Sequence, residues 1–309
     1  MNTANTLRKD GKLARVLTAM VTPLAADMSV DYRKARALAR RLVENGSDGL
    51  VVAGTTGESP TLSHEEKLKL FEAVLDEVGG EAVVFAGTGA NDTRASIEMT
   101  CDAQRVGVHG AMLVVPYYNK PPQAGLYRHF AEIAEATSLP LLVYNVPGRT
   151  SVNLAADTMA RLARDFANIV AVKEASGMLD QVAEIRSKAP EDFIIYSGDD
   201  NMTVPVMAVG GDGIVSVASH VAGVQIQEMI AAFVAGDTAR AGELHRRLLP
   251  LFKVVFVTTN PIPIKAAIAL AGFDAGPLRP PLVEATEAER VQIRKVMESL
   301  GLMPRSALT

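Results

Sequence analysis

The sequence predicts a closed (β/α)8 barrel, the TIM barrel, followed by a small C-terminal α-helical domain. Short apolar runs rich in Val, Ile and Leu alternate with longer segments of helical periodicity, and eight such units are complete by residue 235. Each spans roughly 20–35 residues, the size of one strand–helix unit. Eight units close naturally into a barrel, although counting alone leaves a doubly wound open sheet as the alternative.

The apolar runs have the character of strands. They do not alternate with polar residues, which is typical of strands that are buried on both faces. The eight predicted strands lie within 16–21, 49–53, 82–86, 110–115, 140–144, 168–172, 192–196 and 212–217.

The intervening segments have the character of helices. In 63–78, apolar residues recur at helical spacing, and Ser63 with Glu66 forms a capping-box pattern at the start. Segment 123–136 has the same periodicity. Cys101 lies in another helical pattern, where we expect it to be a small core residue.

The pattern changes after residue 236. Segments 238–257, 261–271 and 286–300 read as helices with no strand between them, and Thr286 with Glu289 forms a second capping box. We therefore expect three parts: an N-terminal extension over 1–13, the barrel over 14–236 and a helical domain over 237–309.

Composition excludes several classes of function. Of the 309 residues, 48% are hydrophobic, and the net charge is −4 with no dense Lys/Arg block, so a nucleic-acid partner is not expected. One cysteine excludes an intrachain disulfide and a multi-thiolate metal site. The five histidines never occur as H-x-H or H-x-x-x-H, so no metal site is predicted.

The expected location is the cytoplasm. Residues 1–13 are polar and lack the apolar core of a signal peptide. Since no apolar run reaches about 18 residues, no membrane partner is expected either.

Polar residues collect immediately after the predicted strands. In a parallel barrel the carboxyl ends of all strands lie on one face, which holds the active site. The positions are Thr22 after the first strand, 54–59 after the second, Tyr117 and Tyr118 after the fourth, Tyr144 and Arg149 at the fifth, Lys173 and Glu174 after the sixth, and 197–200 after the seventh. This face is the predicted functional site.

Lys173 is the most informative of these residues about the chemistry of the site. It follows the apolar residues 169–172 directly, so its amine points towards an apolar barrel mouth. Desolvation disfavours the ammonium form and makes the amine a nucleophile, suited to forming a Schiff base with a keto substrate. The alternative is an ion pair with a neighbouring carboxylate such as Glu174.

The other polar loops have both chemical and structural interpretations. The 54–59 loop can hold a carboxylate on its backbone N–H groups, or it can be an ordinary glycine-rich turn. The tyrosines can relay protons or pack at the rim. Arg149 can bind a substrate carboxylate or lie free on the surface. Asp199 and Asp200 can hold a cation, although capping of the next helix is the simpler interpretation.

Several blocks, in order from about residue 14 to about 300, resemble one known family. The chain is similar to the dihydrodipicolinate synthase / N-acetylneuraminate lyase family of class I pyruvate-dependent aldolases. The matching blocks are GTTGESPTLS (54–63), AGTGAN (86–91), PYYNKP (116–121), GLYRHF (125–130), YNVPGRT (144–150), VKEASG (172–177), SGDD (197–200), GGDGIVSV (210–217) and NPIPIK (260–265).

The resemblance implies roles for individual residues. Lys173 would form the Schiff base with pyruvate, and no cofactor would be needed. Tyr144, Thr55 and Tyr118 would relay protons, with Tyr118 reaching into a neighbouring subunit of a homotetramer built from dimers. The implied substrate-binding residues are Thr56, Arg149, Gly198 and Val215.

The resemblance also implies a reaction. The pairing of Thr55 with Thr56, together with Tyr118 and Arg149, favours the members that are carbon–oxygen lyases condensing pyruvate with L-aspartate 4-semialdehyde, in diaminopimelate and lysine biosynthesis. A semialdehyde with its own carboxylate needs a partner such as Arg149. The alternatives are a related lyase or dehydratase of keto sugar acids and a non-catalytic barrel that senses a keto or amino acid.

The resemblance finally implies a candidate allosteric site for lysine. Ser59, His64, Asn91 and Tyr117 match it. Lys67 and Ala95, however, replace a histidine and a glutamate of the feedback-inhibited relatives. Because a cation at residue 67 and a missing carboxylate at residue 95 disfavour a cationic amino acid, we predict weak or absent lysine inhibition.

Overall fold

Eight parallel strands form a closed barrel in the computed structural model, which describes residues 7–9 and 11–304. Strand order follows chain order, and β8 pairs with β1, so the barrel is confirmed and the open sheet is excluded. The strands are β1 (Val16–Ala19), β2 (Gly49–Val52), β3 (Val83–Gly87), β4 (Gly110–Val114), β5 (Leu141–Asn145), β6 (Ile169–Glu174), β7 (Ile194–Ser197) and β8 (Gly213–Ser216).

The helices surround the barrel and then continue beyond it. They are α1 (Tyr32–Glu44), α2 (His64–Val78), α3 (Thr93–Val106), α4 (Gln123–Ala136), α5 (Pro147–Thr150), α6 (Ala156–Asp165), α7 (Leu179–Lys188), α8 (Thr203–Ala208), α9 (Ser219–Val234), α10 (Thr238–Val254), α11 (Ile262–Leu270) and α12 (Glu287–Ser299).

Both predicted capping boxes are present. Ser63 accepts from the Glu66 N–H while the Glu66 carboxylate accepts from the Ser63 N–H, and Thr286 and Glu289 repeat the arrangement at α12. Each box satisfies two backbone donors that the first helical turn leaves unpaired. The start of each helix is therefore fixed by its own sequence.

Two apolar clusters explain why the strands are apolar on both faces. One fills the barrel interior and includes Leu17, Phe85, Leu142 and Tyr196. The other lies between the strands and the surrounding helices. Burying both faces of each strand removes a large apolar area from water, which is the main source of stability for this architecture.

The described part of the N-terminal extension packs against the barrel. Leu7 is fully buried in the interior cluster, and a short antiparallel pair joins Arg8–Lys9 to Lys12–Leu13. The Tyr196 hydroxyl donates to the Ala14 carbonyl at 2.6 Å. This segment therefore covers the end of the barrel opposite the predicted site. Residues 1–6 and 10 of the extension, and 305–309 of the C-terminal part, lie outside the described residues.

The expectation for Cys101 is wrong. Its side chain is half-buried rather than in the core, and its thiol lies 3.4 Å from the Ala136 carbonyl, at the end of α4. The buried face of α3 is formed instead by Ser96, Met99, Thr100 and Ala103.

None of the helices in 7–9 and 11–304 is long and apolar enough to cross a membrane.

Candidate active site

The carboxyl ends of the strands surround a cavity that brings most of the predicted site residues together. Lys173, Tyr144, Thr55, Thr56, Arg149 and Gly198 all line it. Tyr144 and Lys173 lie at the ends of β5 and β6, and the others lie in the segments after β2, β5 and β7, which are far apart in sequence. The closure of the barrel is what places them around one space.

Lys173 is buried where the sequence predicts it. Only 5% of the residue is exposed, and its Nζ lies 4.0 Å from the centroid of the Tyr144 ring. Burial lowers the pKa of Lys173 to about 8, against an opposing effect of the Asp199 and Asp200 carboxylates. About a tenth of the amine is therefore neutral at pH 7, far more than for an ordinary lysine.

The alternative ion pair between Lys173 and Glu174 does not form. The Glu174 carboxylate accepts from Asn145 Nδ2, Gln181 Nε2 and the Ser176 N–H, all between 2.8 and 3.1 Å. Neighbouring residues in a strand point to opposite faces. Glu174 thus stabilises the loops behind the strand, and the Lys173 amine faces the cavity.

The two aspartates after β7 have different roles from the expected helix cap. Asp200 is buried and accepts from Ser216 Oγ and from the backbone N–H groups of Val217 and Ala218, so it fixes the loop after β8. Asp199 lines the cavity, and burial raises the pKa of its carboxyl. Asp200 therefore joins the loops after the last two strands, Asp199 faces the cavity, and neither side chain caps the next helix.

The loop after β2 is held in an unusual backbone conformation. Ala53 and Glu58 lie in the left-handed region at φ 54° and 57°. Such conformations persist only where the surroundings fix them, and they cluster at functional sites. Here the Thr22 hydroxyl donates to the Gly57 carbonyl at 2.6 Å, and Lys265 pairs with Glu58 at 2.6 Å. Thr55 and Thr56 are therefore presented by a rigid loop.

Gly198 lies where the ends of β6 and β7 approach closely. A Cβ atom at this position would come within 2.4 Å of the Ala175 Cβ. The residue therefore has to be glycine for this wall of the cavity to keep its shape.

Two predicted site residues do not line the cavity of this chain. Tyr118 is 88% exposed and has φ 75°, so it projects away from the barrel on a tight turn. Val215 is fully buried in the barrel interior beside Tyr144 and Tyr196 rather than at the cavity surface.

The candidate allosteric residues divide into two groups. Ser59 and Tyr117 line a second cavity of about 250 Å³, which shares Thr55, Tyr144 and Arg149 with the first. His64 instead binds Asp102 at 2.8 Å, and the Asn91 carbonyl accepts from Asn119. Lys67 also lines the second cavity, where burial lowers the pKa of its ammonium.

Phe256 and Asn260 are cavity residues that the sequence did not predict. Phe256 and Asn260 line the cavity beside Lys173, although both come from the segment between α10 and α11. The Asn260 Nδ2 donates to Thr56 Oγ1 at 2.9 Å. The NPIPIK block at 260–265 was the available signal, but its position after the eighth unit gave no reason to place it at the barrel mouth.

The described residues contain no cluster of three or more His, Cys, Asp or Glu side chains arranged to hold a metal ion. What the cavity does offer is a neutralisable amine, several hydroxyl groups and a guanidinium. This set of groups fits covalent chemistry on a substrate with a carbonyl and a carboxylate.

Comparisons with a family model, with curated proteins and with solved structures all identify the same family. The model of the dihydrodipicolinate synthetase family matches residues 12–300. The 4-hydroxy-tetrahydrodipicolinate synthase of Desulforamulus reducens is 58% identical over 289 residues, covering 94% of this chain and 98% of the relative.

Solved structures of this family resemble the chain in fold as well as in sequence. A structure described as DHDPS from Cyanidioschyzon merolae with lysine bound has a TM-score of 0.93 at 48% identity and covers 94% of this chain and 99% of its own. A structure described as the first monomeric dihydrodipicolinate synthase variant has a TM-score of 0.93 at 41% identity, covering 98% and 99%. The chain belongs to the dihydrodipicolinate synthetase family.

Proposed function

We propose that the chain condenses pyruvate with L-aspartate 4-semialdehyde to 4-hydroxy-tetrahydrodipicolinate, as a Schiff-base lyase of diaminopimelate and lysine biosynthesis. The observation that supports this most strongly is the buried Lys173 amine, 4.0 Å from the Tyr144 ring, in a cavity that also contains Thr55, Thr56 and Arg149. The high identity to curated synthases over nearly the full chain supports the same reaction.

The first half of the proposed reaction takes place on pyruvate. The neutral Lys173 amine attacks the ketone carbon, and the carbonyl oxygen leaves as water, giving an imine. Loss of a proton from the methyl carbon then gives an enamine. Tyr144 and Thr55 line the cavity and are assigned the proton transfers, while Thr56 holds the pyruvate carboxylate.

The second half joins the two substrates. The enamine carbon attacks the aldehyde carbon, whose oxygen takes up a proton. The amino group of the semialdehyde then displaces Lys173 from the imine carbon, which closes the ring and frees the enzyme. Because the iminium accepts the electron pair during these steps, this chemistry requires no metal or organic cofactor.

Arg149 is proposed to select the second substrate. It lines both cavities, and a guanidinium binds a carboxylate through two parallel hydrogen bonds. The semialdehyde has such a carboxylate beside its amino group. A polyhydroxylated keto acid would instead need more hydroxyl partners than this position provides.

Tyr118 is proposed to act in a neighbouring subunit of a homotetramer. Its exposure and left-handed backbone keep it away from the cavity of its own chain while presenting its ring outward. Mixing Tyr118→Phe with Lys173→Ala subunits tests this. Recovery of activity above either variant alone is expected, whereas no recovery in mixed oligomers would place the Tyr118 function within one chain.

The function is tested by assaying the purified protein with pyruvate and aspartate semialdehyde, coupled to a reductase that consumes the product. We expect turnover that is lost in Lys173→Ala. Arg149→Ala should lose most of its activity with the semialdehyde. Turnover of keto sugar acids in place of the semialdehyde would contradict the proposed substrate.

A further inference from the structure

We propose that Asn260 is a positioning residue for the pyruvate carboxylate, acting through Thr56. The inference rests on the proposed function. Asn260 is 5% exposed, and its Nδ2 donates to Thr56 Oγ1 at 2.9 Å across 204 residues of sequence. Both side chains line the cavity that contains Lys173.

The direction of this hydrogen bond determines what Thr56 can do. A threonine hydroxyl has one proton to donate and two lone pairs to accept. Because Thr56 Oγ1 accepts from Asn260, its own proton is left for another acceptor. A carboxylate is such an acceptor, and it is the group that this side of the cavity is proposed to bind.

The remaining atom of the Asn260 amide is consistent with a site built for a ligand. Oδ1 is buried and has no protein hydrogen-bond donor among the described residues. An unsatisfied buried acceptor disfavours folding, so such groups are expected where they serve binding rather than stability. The amide is therefore not explained as an ordinary structural link.

A second contact joins the segment containing Asn260 to the loop after β2, which contains Thr56. Lys265, on the first turns of α11, pairs with Glu58 at 2.6 Å and donates to the Pro277 carbonyl at 2.7 Å. Both charged side chains are almost fully buried. Glu58 lies two residues after Thr56, so the segment containing Asn260 has a fixed position relative to the hydroxyl that it contacts.

The test compares Asn260→Ala and Asn260→Asp with a Thr259→Ala control, whose side chain is exposed next to the site. Removing the donor should raise the KM for pyruvate roughly tenfold, the cost of one well-placed hydrogen bond, with a smaller fall in kcat. Asn260→Asp reverses the polarity of the pair, since an ionised carboxylate only accepts. Its KM for pyruvate should exceed that of Asn260→Ala and rise further as the pH increases.

A double-mutant cycle with Thr56→Val separates positioning from folding. If Asn260 acts through Thr56, adding Asn260→Ala to Thr56→Val should raise the KM for pyruvate little further. Equal KM values in Asn260→Ala and the unmodified protein, additive effects in the cycle, or a KM of Asn260→Asp that does not respond to pH would overturn the inference. If the unmodified protein forms no borohydride-trapped adduct with pyruvate, the proposed function fails instead.

Discussion

The chemistry of Lys173 follows from its surroundings. Val170 and Ala171 precede it in a strand whose side chains are fully or almost fully buried, and Tyr144 lies under its amine. Removing an ammonium from water costs free energy unless a partner compensates, and the neighbouring Glu174 is already bound elsewhere. The same strand that builds the core therefore produces the reactive form of the amine.

The rate of imine formation should depend on pH with a midpoint near the Lys173 pKa of about 8. Only the neutral amine attacks a ketone, so the rate should rise about tenfold per pH unit below the midpoint and level off above it. The measurement is single-turnover trapping of pyruvate with borohydride at a series of pH values.

Asp199→Asn tests the electrostatic contribution to the Lys173 pKa. The Asp199 carboxylate stabilises the ammonium and raises the Lys173 pKa, so its neutralisation should move the midpoint to lower pH. A midpoint near the ordinary lysine value of 10.5 in the unmodified protein would contradict this explanation of reactivity.

Among the secondary-structure elements, the segments that follow β2, β3, β4 and β5 form the wall of the second cavity. The cavity contains two cations, Lys67 and Arg149, and in the part of the chain that the structure describes no carboxylate lines it. No hydrogen bond or ion pair joins the Lys67 ammonium to a side chain of the described residues, and burial alone shifts its pKa. Two positive charges in a cavity with no carboxylate among its lining residues disfavour any ligand that is itself cationic.

We therefore predict that L-lysine inhibits this protein weakly or not at all. The measurement is the steady-state rate with lysine titrated well above the pyruvate concentration. Lys67→Gln, which removes one of the two cations, should increase whatever inhibition is seen. Strong inhibition of the unmodified protein at low lysine concentration would show that another group neutralises this cavity.

At the scale of the whole molecule, His220 helps to join the first and last strands. Its Nδ1–H donates to the Val217 carbonyl at 2.8 Å, and its Nε2 accepts from the Val21 N–H at 3.1 Å. The bond from Val21 requires the neutral ring, because a protonated Nε2 cannot accept. Burial lowers the pKa of His220 to about 4, because protonation would remove the acceptor and leave a charge in the core.

Acidification should therefore destabilise the fold through His220. The unfolded histidine has a pKa of about 6.5, so below that value the unfolded state binds the proton and the native state does not until about pH 4. Between about pH 7 and about pH 5 the free energy of unfolding should fall by on the order of 2 kcal/mol from this group.

Urea unfolding of the unmodified protein and of His220→Gln at both pH values measures this contribution. The variant is expected to be less stable at pH 7 and less sensitive to acid. If both proteins lose the same stability on acidification, another buried group is responsible.

The C-terminal segments contact the loop after β2, which carries two of the proposed site residues. Asn260 and Lys265 contact the loop after β2, and Arg279 pairs with Glu66 at the start of α2. We propose that 237–309 is a helical domain whose main role is to hold this loop against the barrel over 14–236.

The sequence was sufficient for features set by local patterns. All eight strands, both capping boxes and the buried Lys173 follow from apolar runs, short-range spacing and the end of one strand. The loops after the strands could be assigned to one face because a parallel barrel has only one such face.

Features that depend on contacts between distant segments could not be predicted. Asn260 contacts Thr56 across 204 residues, and Asp200 binds the loop after β8 instead of its own helix. Cys101 lies at the edge of the buried face of α3, where periodicity is least informative. Nothing in the local sequence determines which of these partners meet.

The most direct test of Schiff-base formation at Lys173 is to reduce the protein with borohydride in the presence of pyruvate and to locate the adduct by peptide mass spectrometry. We expect one pyruvate-derived modification on Lys173, absent from Lys173→Ala and from samples without pyruvate. An unmodified Lys173 in folded protein, or an adduct on a different lysine such as Lys67, would contradict it.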